Sequence, residues 1–529
     1  MISERQQTSV LTRMFFGRIF ESELMPSGAP QIQLAVWVIA FLAGPSTVAP
    51  ILISKKYIVL INNPQALHGS MEADRMVALM LSMIATGLIT LVIWEGVFPD
   101  RRDGRILGVL PVRLRTFVVA RLAALMALFA MLVIAMTAFS SLAFGAVNAT
   151  FGGTGGLIGG TLSHFAAAAG REASVFFGIV ALQCALLNTV GVLVAQRLAV
   201  LLQIALVVGV LQMPLLLPLL STPQVPAWAP VIGLGMCATT LVLYGASYRR
   251  MMRLALEGTG ASTTKRSVLQ RLVPLAASIT AFSPPARGVC AFALRTVVRS
   301  RHHRMLLAGW VGLAVAIVAS TVLPILVRGG WNALETPRPT LLAVPLVFIA
   351  LTLAGMRMLF AIPSEIRANW TVRTQQPVPI RQALDGAVSA LLACAIPPVL
   401  LAWISATVLW GPRAGVIHGV FCAALAFLLA QLLAMGLDKV PFTCTYAPGK
   451  ARFVKLWPVY LTAFSFYTYT TASLEASFLP GRGIYVALAT IIVVGVAAAY
   501  ERHRRASEVP DLQFQGEPME TLTVLSVQS

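Results

Sequence analysis

Charged side chains are scarce in this chain: they make up 11% of 529 residues, against 57% that are hydrophobic. That balance excludes an ordinary soluble globule. Catalytic signatures are missing as well. The chain contains no Gly-x-x-x-x-Gly-Lys-Ser/Thr, no Gly-x-Ser-x-Gly and no His-Glu-x-x-His, and Gly449-Lys450 lacks the earlier glycine and runs on into Ala451. P-loop hydrolysis of ATP, α/β-hydrolase chemistry and zinc proteolysis therefore have no foothold. No catalytic residue, metal site or cofactor is expected on the chain. The six histidines are scattered. His302 and His303 are adjacent, so they point to different faces of a helix and read as part of a basic membrane-surface cluster. The six cysteines fall in apolar runs or inner loops, which indicates no disulfide framework.

What is present is a series of long apolar runs. A crossing needs roughly 20 mostly apolar residues. Twelve runs qualify, near 34–54, 76–97, 117–147, 173–196, 198–220, 227–248, 305–327, 340–361, 384–410, 414–437, 456–478 and 483–500. Backbone groups in lipid must bond within their own segment, so the runs are helices. The expected fold is an all-α polytopic membrane protein with about twelve transmembrane helices. Residues 8–22 place Leu11, Met14, Phe15, Ile19 and Phe20 at helical spacing among arginines, which reads as an amphipathic helix on the membrane surface. The glycine-rich segment 148–172 reads as an outer loop or a short re-entrant element.

Charge orients the chain. With both termini cytoplasmic, thirty-two of the forty basic residues fall on the inner side, as the positive-inside rule requires. The net charge of +20 follows from that bias and from attraction to anionic lipid, without nucleic acid. No Asp, Glu, Lys or Arg falls in the middle of a run. Glu95, Arg357, Asp385, Asp438 and Glu475 all lie near an end. An ion-coupled carrier keeps such a residue at depth, so that class is disfavoured.

One pattern occurs twice. Phe98-Pro99-Asp100-Arg101-Arg102-Asp103, then Leu110-Pro111-Val112-Arg113, leaves the second run. Ile362-Pro363-Ser364-Glu365-Ile366-Arg367, then Pro377-Val378-Pro379-Ile380-Arg381, leaves the eighth. Pro99 and Pro363 are 264 positions apart, half the chain. Six spans between the loops put both on one side, which implies two parallel six-helix repeats. The expected divisions are 1–248, a basic linker 249–304 with a second surface helix at 292–299, a second half 305–500 and a tail 501–529. The loops mix signs, and acidic side chains do nothing for anchoring to anionic lipid. Proline favours the first turn of a helix, so a short helix is expected from Pro111.

Around 94–121 the sequence resembles the membrane subunits of ABC-2-type exporters. The residues that carry the resemblance are Glu95, Asp100, Arg101, Asp103, Leu110-Pro111-Val112 and Arg121, with Glu365, Arg367 and Pro377 in the second half. The resemblance implies that these loops dock on a separate P-loop ATPase, two copies per chain, and that ATP binds there rather than here. Coupling candidates are Glu95, Asp100, Arg101, Arg102, Asp103, Pro111, Arg113, Glu365, Arg367, Asn369, Pro377 and Arg381. The family's usual unit has six spans and dimerises, whereas twelve spans sit in this one chain. An apolar or amphipathic substrate would pass between the halves of a cell-membrane exporter. Gln183, Asn188, Gln203, Gln212 and Gln431 either line that path or bond neighbouring helices. The competing readings are a non-transporting scaffold that recruits a soluble partner and a lipid-acting enzyme, for which only the Asp100–Asp103 loop qualifies.

Overall fold

In a chain so apolar, hydrogen bonding closes within helices, and the computed structural model is mostly helical in the residues it describes. These are 4–20, 46, 56–98, 111–190, 192–212, 229–257, 268–363, 380–435, 437, 440–443, 459–460 and 462–507. They form two compact units, Met1–Thr263 and Thr264–Ser529. The division falls inside the basic connecting segment. Among the described residues, eight helices are long and apolar enough to cross a membrane.

The first unit contains α1 (Glu4–Phe20), α2 (Pro64–Val92), a 3-10 turn (Trp94–Val97), α3 (Leu114–Thr189), α4 (Val192–Leu211) and α5 (Ala229–Glu257). Helix α1 covers most of the segment 8–22 that was expected to be helical. Its Leu11 and Phe15 are buried in the unit's core with Phe117, Ala120, Ala124 and Leu128 of α3. Helix α2 starts at Pro64 under an Asn63 cap whose Oδ1 accepts from the Ala66 N–H at 3.2 Å.

Helix α3 corrects the reading of 148–172 as a loop. It spans 76 residues, so at 1.5 Å per residue a straight rod would reach about 114 Å, far beyond a ~30 Å hydrocarbon core. It bends sharply at Gly152 and Gly153, and Gly153 has φ +55°, a conformation that costs glycine little. The two arms then pack against each other through small residues. A Cβ at Gly156 would collide with the Asn148 carbonyl, and one at Gly160 with the Asn148 side chain. Glycine content alone suggested a loop, but here the glycines serve close helix packing.

The second unit contains α6 (Val268–Thr280), α7 (Pro284–Arg299), α8 (Arg301–Gly329), a 3-10 turn (Trp331–Leu334), α9 (Pro339–Leu359), α10 (Ile380–Trp410), α11 (Pro412–Ala434), α12 (Thr471–Phe478) and α13 (Gly483–Ser507). A π-helical turn, Phe466–Thr470, leads into α12. The core runs along α9 through Leu342, Leu346, Ile349, Leu353 and Met356, spaced three and four apart. The expected second surface helix, 292–299, is the latter half of α7. One of its faces, Cys290, Ala293 and Val297, is buried in this core. A close approach at Gly386, where a Cβ would meet Val289 and the Ala286 carbonyl, seats α7 on α10.

In the first unit α1 packs on α3, α2 on α3 and α4, and α3 on α5; in the second α7 packs on α10, α9 on α10, α11 and α12, and α11 on α13.

Candidate functional site: the roots of the two polar loops

A helix ends with four carbonyls that have no partner inside it. At the end of α2, where the first polar loop begins, side chains from the other helices supply those partners. Gln203 of α4 donates Nε2–H to the Leu91 carbonyl at 2.9 Å, and Gln183 of α3 donates to the Trp94 carbonyl at 3.1 Å. Arg121, in the other arm of α3, donates to the Gly96 carbonyl. Tyr244 of α5 donates its hydroxyl to the Val97 carbonyl at 2.6 Å. Arg121 is buried, and its guanidinium lies 4.7 Å above the Phe15 ring of α1. Phe98 stacks on Tyr244, with ring centroids 5.3 Å apart.

The loop root is thus gripped by both arms of α3, α4 and α5, with Phe15 of α1 packed under Arg121. A neutral hydrogen bond contributes about 0.5–1.5 kcal/mol net, and about 1.5–3 where one partner is charged. Losing a donor here would strand a buried carbonyl, so the grip is stiff.

Position 111 is a bend, and α3 begins at Leu114 with Arg113 as its N-terminal cap residue. The short separate helix expected from Pro111 is therefore not formed: the chain passes within three residues into the long helix. Pro111 and Arg113 are exposed. Arg113 lies 3.9 Å from a Glu4 carboxylate oxygen, and Thr116 donates to the same carboxylate at 3.4 Å. So exposed an ion pair contributes little. Glu95 belongs to the 3-10 turn. Asp100, Arg101, Arg102, Asp103, Glu365, Arg367, Asn369 and Pro377 lie outside the described residues.

The second loop also leaves from a clamped end. The Phe360 carbonyl accepts from the Phe442 N–H at 3.1 Å, and the His303 Nε2 lies 3.1 Å from the Ile362 carbonyl. A carbonyl can only accept, so Nε2 carries a hydrogen; Nδ1 lies 2.7 Å from the Ser300 hydroxyl. The His303 ring packs edge-on against Phe442 at 4.9 Å. Phe442 is buried with φ +65°, a strained backbone for a bulky residue that the surrounding packing must hold. His303 is therefore no surface residue, unlike its exposed neighbour His302.

Beyond the second loop, Arg381 reaches His503 Nδ1 at 3.0 Å. Below it, Asp385 accepts from Arg502 at 2.6 Å, and Arg502 Nε donates to Gln431 at 2.8 Å. The amide candidates are thus bound into helix contacts: Gln183 and Gln203 at the first root, Gln431 on Arg502, and Asn188 donating to Ser247 at 3.0 Å. Gln212 is buried at the end of α4.

Sequence reasoning missed the burial of two acids, Glu172 and Glu475. Glu172 lay in the supposed outer loop, yet it is fully buried in α3 and accepts from the Thr86 hydroxyl of α2 at 3.2 Å. Its other carboxylate oxygen has no partner among the described residues. Glu475 of α12 is fully buried against His418 of α11, 2.8 Å away, with Trp410 edge-on to the imidazole. A histidine six residues into an apolar helix was the available signal for that pair, and the unbroken small-residue run around Arg171-Glu172 was the signal for a helix there.

The long apolar helices define the class, a polytopic α-helical membrane protein. No family model matches the chain, and no curated protein or solved structure is detectably similar to it.

Proposed function

We propose that the chain is the membrane subunit of an ATP-driven exporter of ABC-2 type, coupled through its two polar loops to a separate ATPase. The observation that carries this reading is the first loop root. Its carbonyls are bonded by Gln203, Gln183, Arg121 and Tyr244, so a displacement of the loop is delivered to every helix that donates. A loop that only anchored the protein to lipid would need no such grip.

The order of elements supports two parallel repeats. In each unit a short helix packs on the helix that follows the polar loop, and the helix before the loop packs on that same helix. The sequence α7, α8, α9, α10, α11, α12, α13 then matches α1, the run 34–54, α2, the two arms of α3, α4 and α5. Counting α3 twice and adding the runs 34–54, 198–220 and 456–478 to the eight described helices makes twelve spans. Both termini are cytoplasmic in this reading, by the distribution of basic residues. ATP binding closes two ATPase copies, draws the loops together and shifts the halves between inward- and outward-open states. With Glu172 and Glu475 buried, an absence of charge no longer argues for a purely apolar cargo, and an amphipathic one fits better.

The test is purification in detergent of the intact chain and of a variant with Arg101, Arg102 and Asp103 replaced by alanine. The exporter reading expects a P-loop ATPase with the intact chain, lost from the variant together with ATP turnover. No ATPase in either sample would overturn it in favour of a scaffold.

A further inference from the structure

Helices α6 and α7 form a hairpin whose surface is both apolar and basic. Leu272, Leu275 and Ile279 make one exposed stripe along α6, while Val273 and Ala277 on its other side are buried. The turn carries Phe282, which is 95% exposed. Arg271, Arg287, Arg295 and Arg299 are exposed along the same hairpin, and the sequence has no Asp or Glu between Glu257 and Glu335. An apolar stripe flanked by exposed arginines, in a hairpin that carries no acidic residue of its own, suits the boundary between acyl chains and anionic head groups.

At the turn the hairpin closes the foot of a groove of about 440 Å³. Ile279 and Thr280 form the floor, and α10 and α11 form the walls, from Leu392 to Trp403 on one side and from Val416 to Ala426 on the other. The hydroxyl in its lining, Thr280 Oγ1, is already donated to the Ala276 carbonyl at 2.9 Å, so the groove offers almost nothing to a polar ligand. From Leu392 to Trp403 the wall rises roughly 16 Å at 1.5 Å per residue, about half of a ~30 Å hydrocarbon core. The groove is therefore one leaflet tall. At its foot, Arg287 donates Nε–H to the Ala281 carbonyl at 2.9 Å, which holds an exposed guanidinium beside the floor. Ser389 of α10 donates to the Thr280 carbonyl at 2.9 Å and fixes the hairpin there.

We propose that the second unit holds an anionic phospholipid at this place, with one acyl chain in the α10–α11 groove and the phosphate on Arg287. Volume, height and polarity select an acyl chain, and the basic foot selects the negative head group. The site is independent of the exporter reading.

The test uses the full chain in detergent, loaded with phosphatidylglycerol or phosphatidylcholine of identical tails and examined by native mass spectrometry. The wild type should retain phosphatidylglycerol about fivefold better, the effect of one arginine near an anionic surface. Arg287→Gln should bring it down to the phosphatidylcholine level. Ala423→Phe, which fills the groove from an exposed wall position, should remove both lipids while elution volume and helical content stay unchanged. Brominated tails should quench wild-type fluorescence more than that of Trp403→Phe. Equal retention of the two lipids by the wild type overturns the phosphate contact. Retention undiminished in Ala423→Phe, or quenching unchanged in Trp403→Phe, overturns the groove.

Discussion

Tyr244 donates its hydroxyl to the Val97 carbonyl while its ring stacks on Phe98, so one side chain of α5 holds both the last turn before the first polar loop and the residue that opens it. Arg121 holds the same turn from the start of α3, through the Gly96 carbonyl. The loop root is a junction of helices, and its stiffness is a property of side chains far from it in sequence.

Tyr244→Phe keeps the stack and deletes the hydrogen bond, leaving a buried carbonyl unpaired. The expected loss of stability is about 1–3 kcal/mol. Arg121→Ala should cost more, since it also removes the contact over Phe15. Thermal unfolding in detergent measures both. If the loop couples to an ATPase, both variants should also reduce ATP turnover while the ATPase still co-purifies.

His418→Ala strands the Glu475 carboxylate in the interior, and removing one partner of a buried pair costs about 3–5 kcal/mol. Replacing both residues, as His418→Leu with Glu475→Met, should recover most of that loss. A double-mutant cycle in detergent that finds the two single effects additive would rule out the pairing.

Glu172→Gln keeps an acceptor for Thr86 and removes a group able to carry charge, so its melting temperature should match or exceed that of the wild type. Glu172→Lys brings an ammonium into the same packed space, at a cost of about 2.5–3.5 kcal/mol or more. Expression and melting of the two variants should diverge in that order.

The bend in α3 depends on its glycines. Gly153→Val forces a β-branched residue into a positive-φ conformation, and Gly156→Ala drives a methyl group into the Asn148 carbonyl. Each should destabilise by about 1–3 kcal/mol. An alanine at Gly155, which has open space around its Cα, is the matched control and should be nearly silent.

The apolar runs and the helix near the N-terminus were legible because each is a local sum of side-chain properties. Leu11 and Phe15 announce their buried face by spacing alone. The segment 148–172 was misread because glycine is ambiguous. It marks a loop when solvent surrounds it, and a close helix contact when Asn148 lies opposite. Arg121 was legible as a basic residue near the loop, but not as a buried clamp, since burial depends on Phe15 and on the Gly96 carbonyl.

The sequence by itself determined that this is a helical membrane protein and where its long apolar runs lie. Those outcomes follow from the cost of unpaired backbone and of charge in lipid, and each residue contributes to them without reference to its partners. Only the tertiary structure decided which carbonyls Gln183, Arg121 and Tyr244 would bond, that Glu475 would find His418, and that α3 would turn back on itself. Tyr244 and Val97 are 147 positions apart. A bond of that kind exists only after several helices have packed, and no local pattern encodes which donor will arrive.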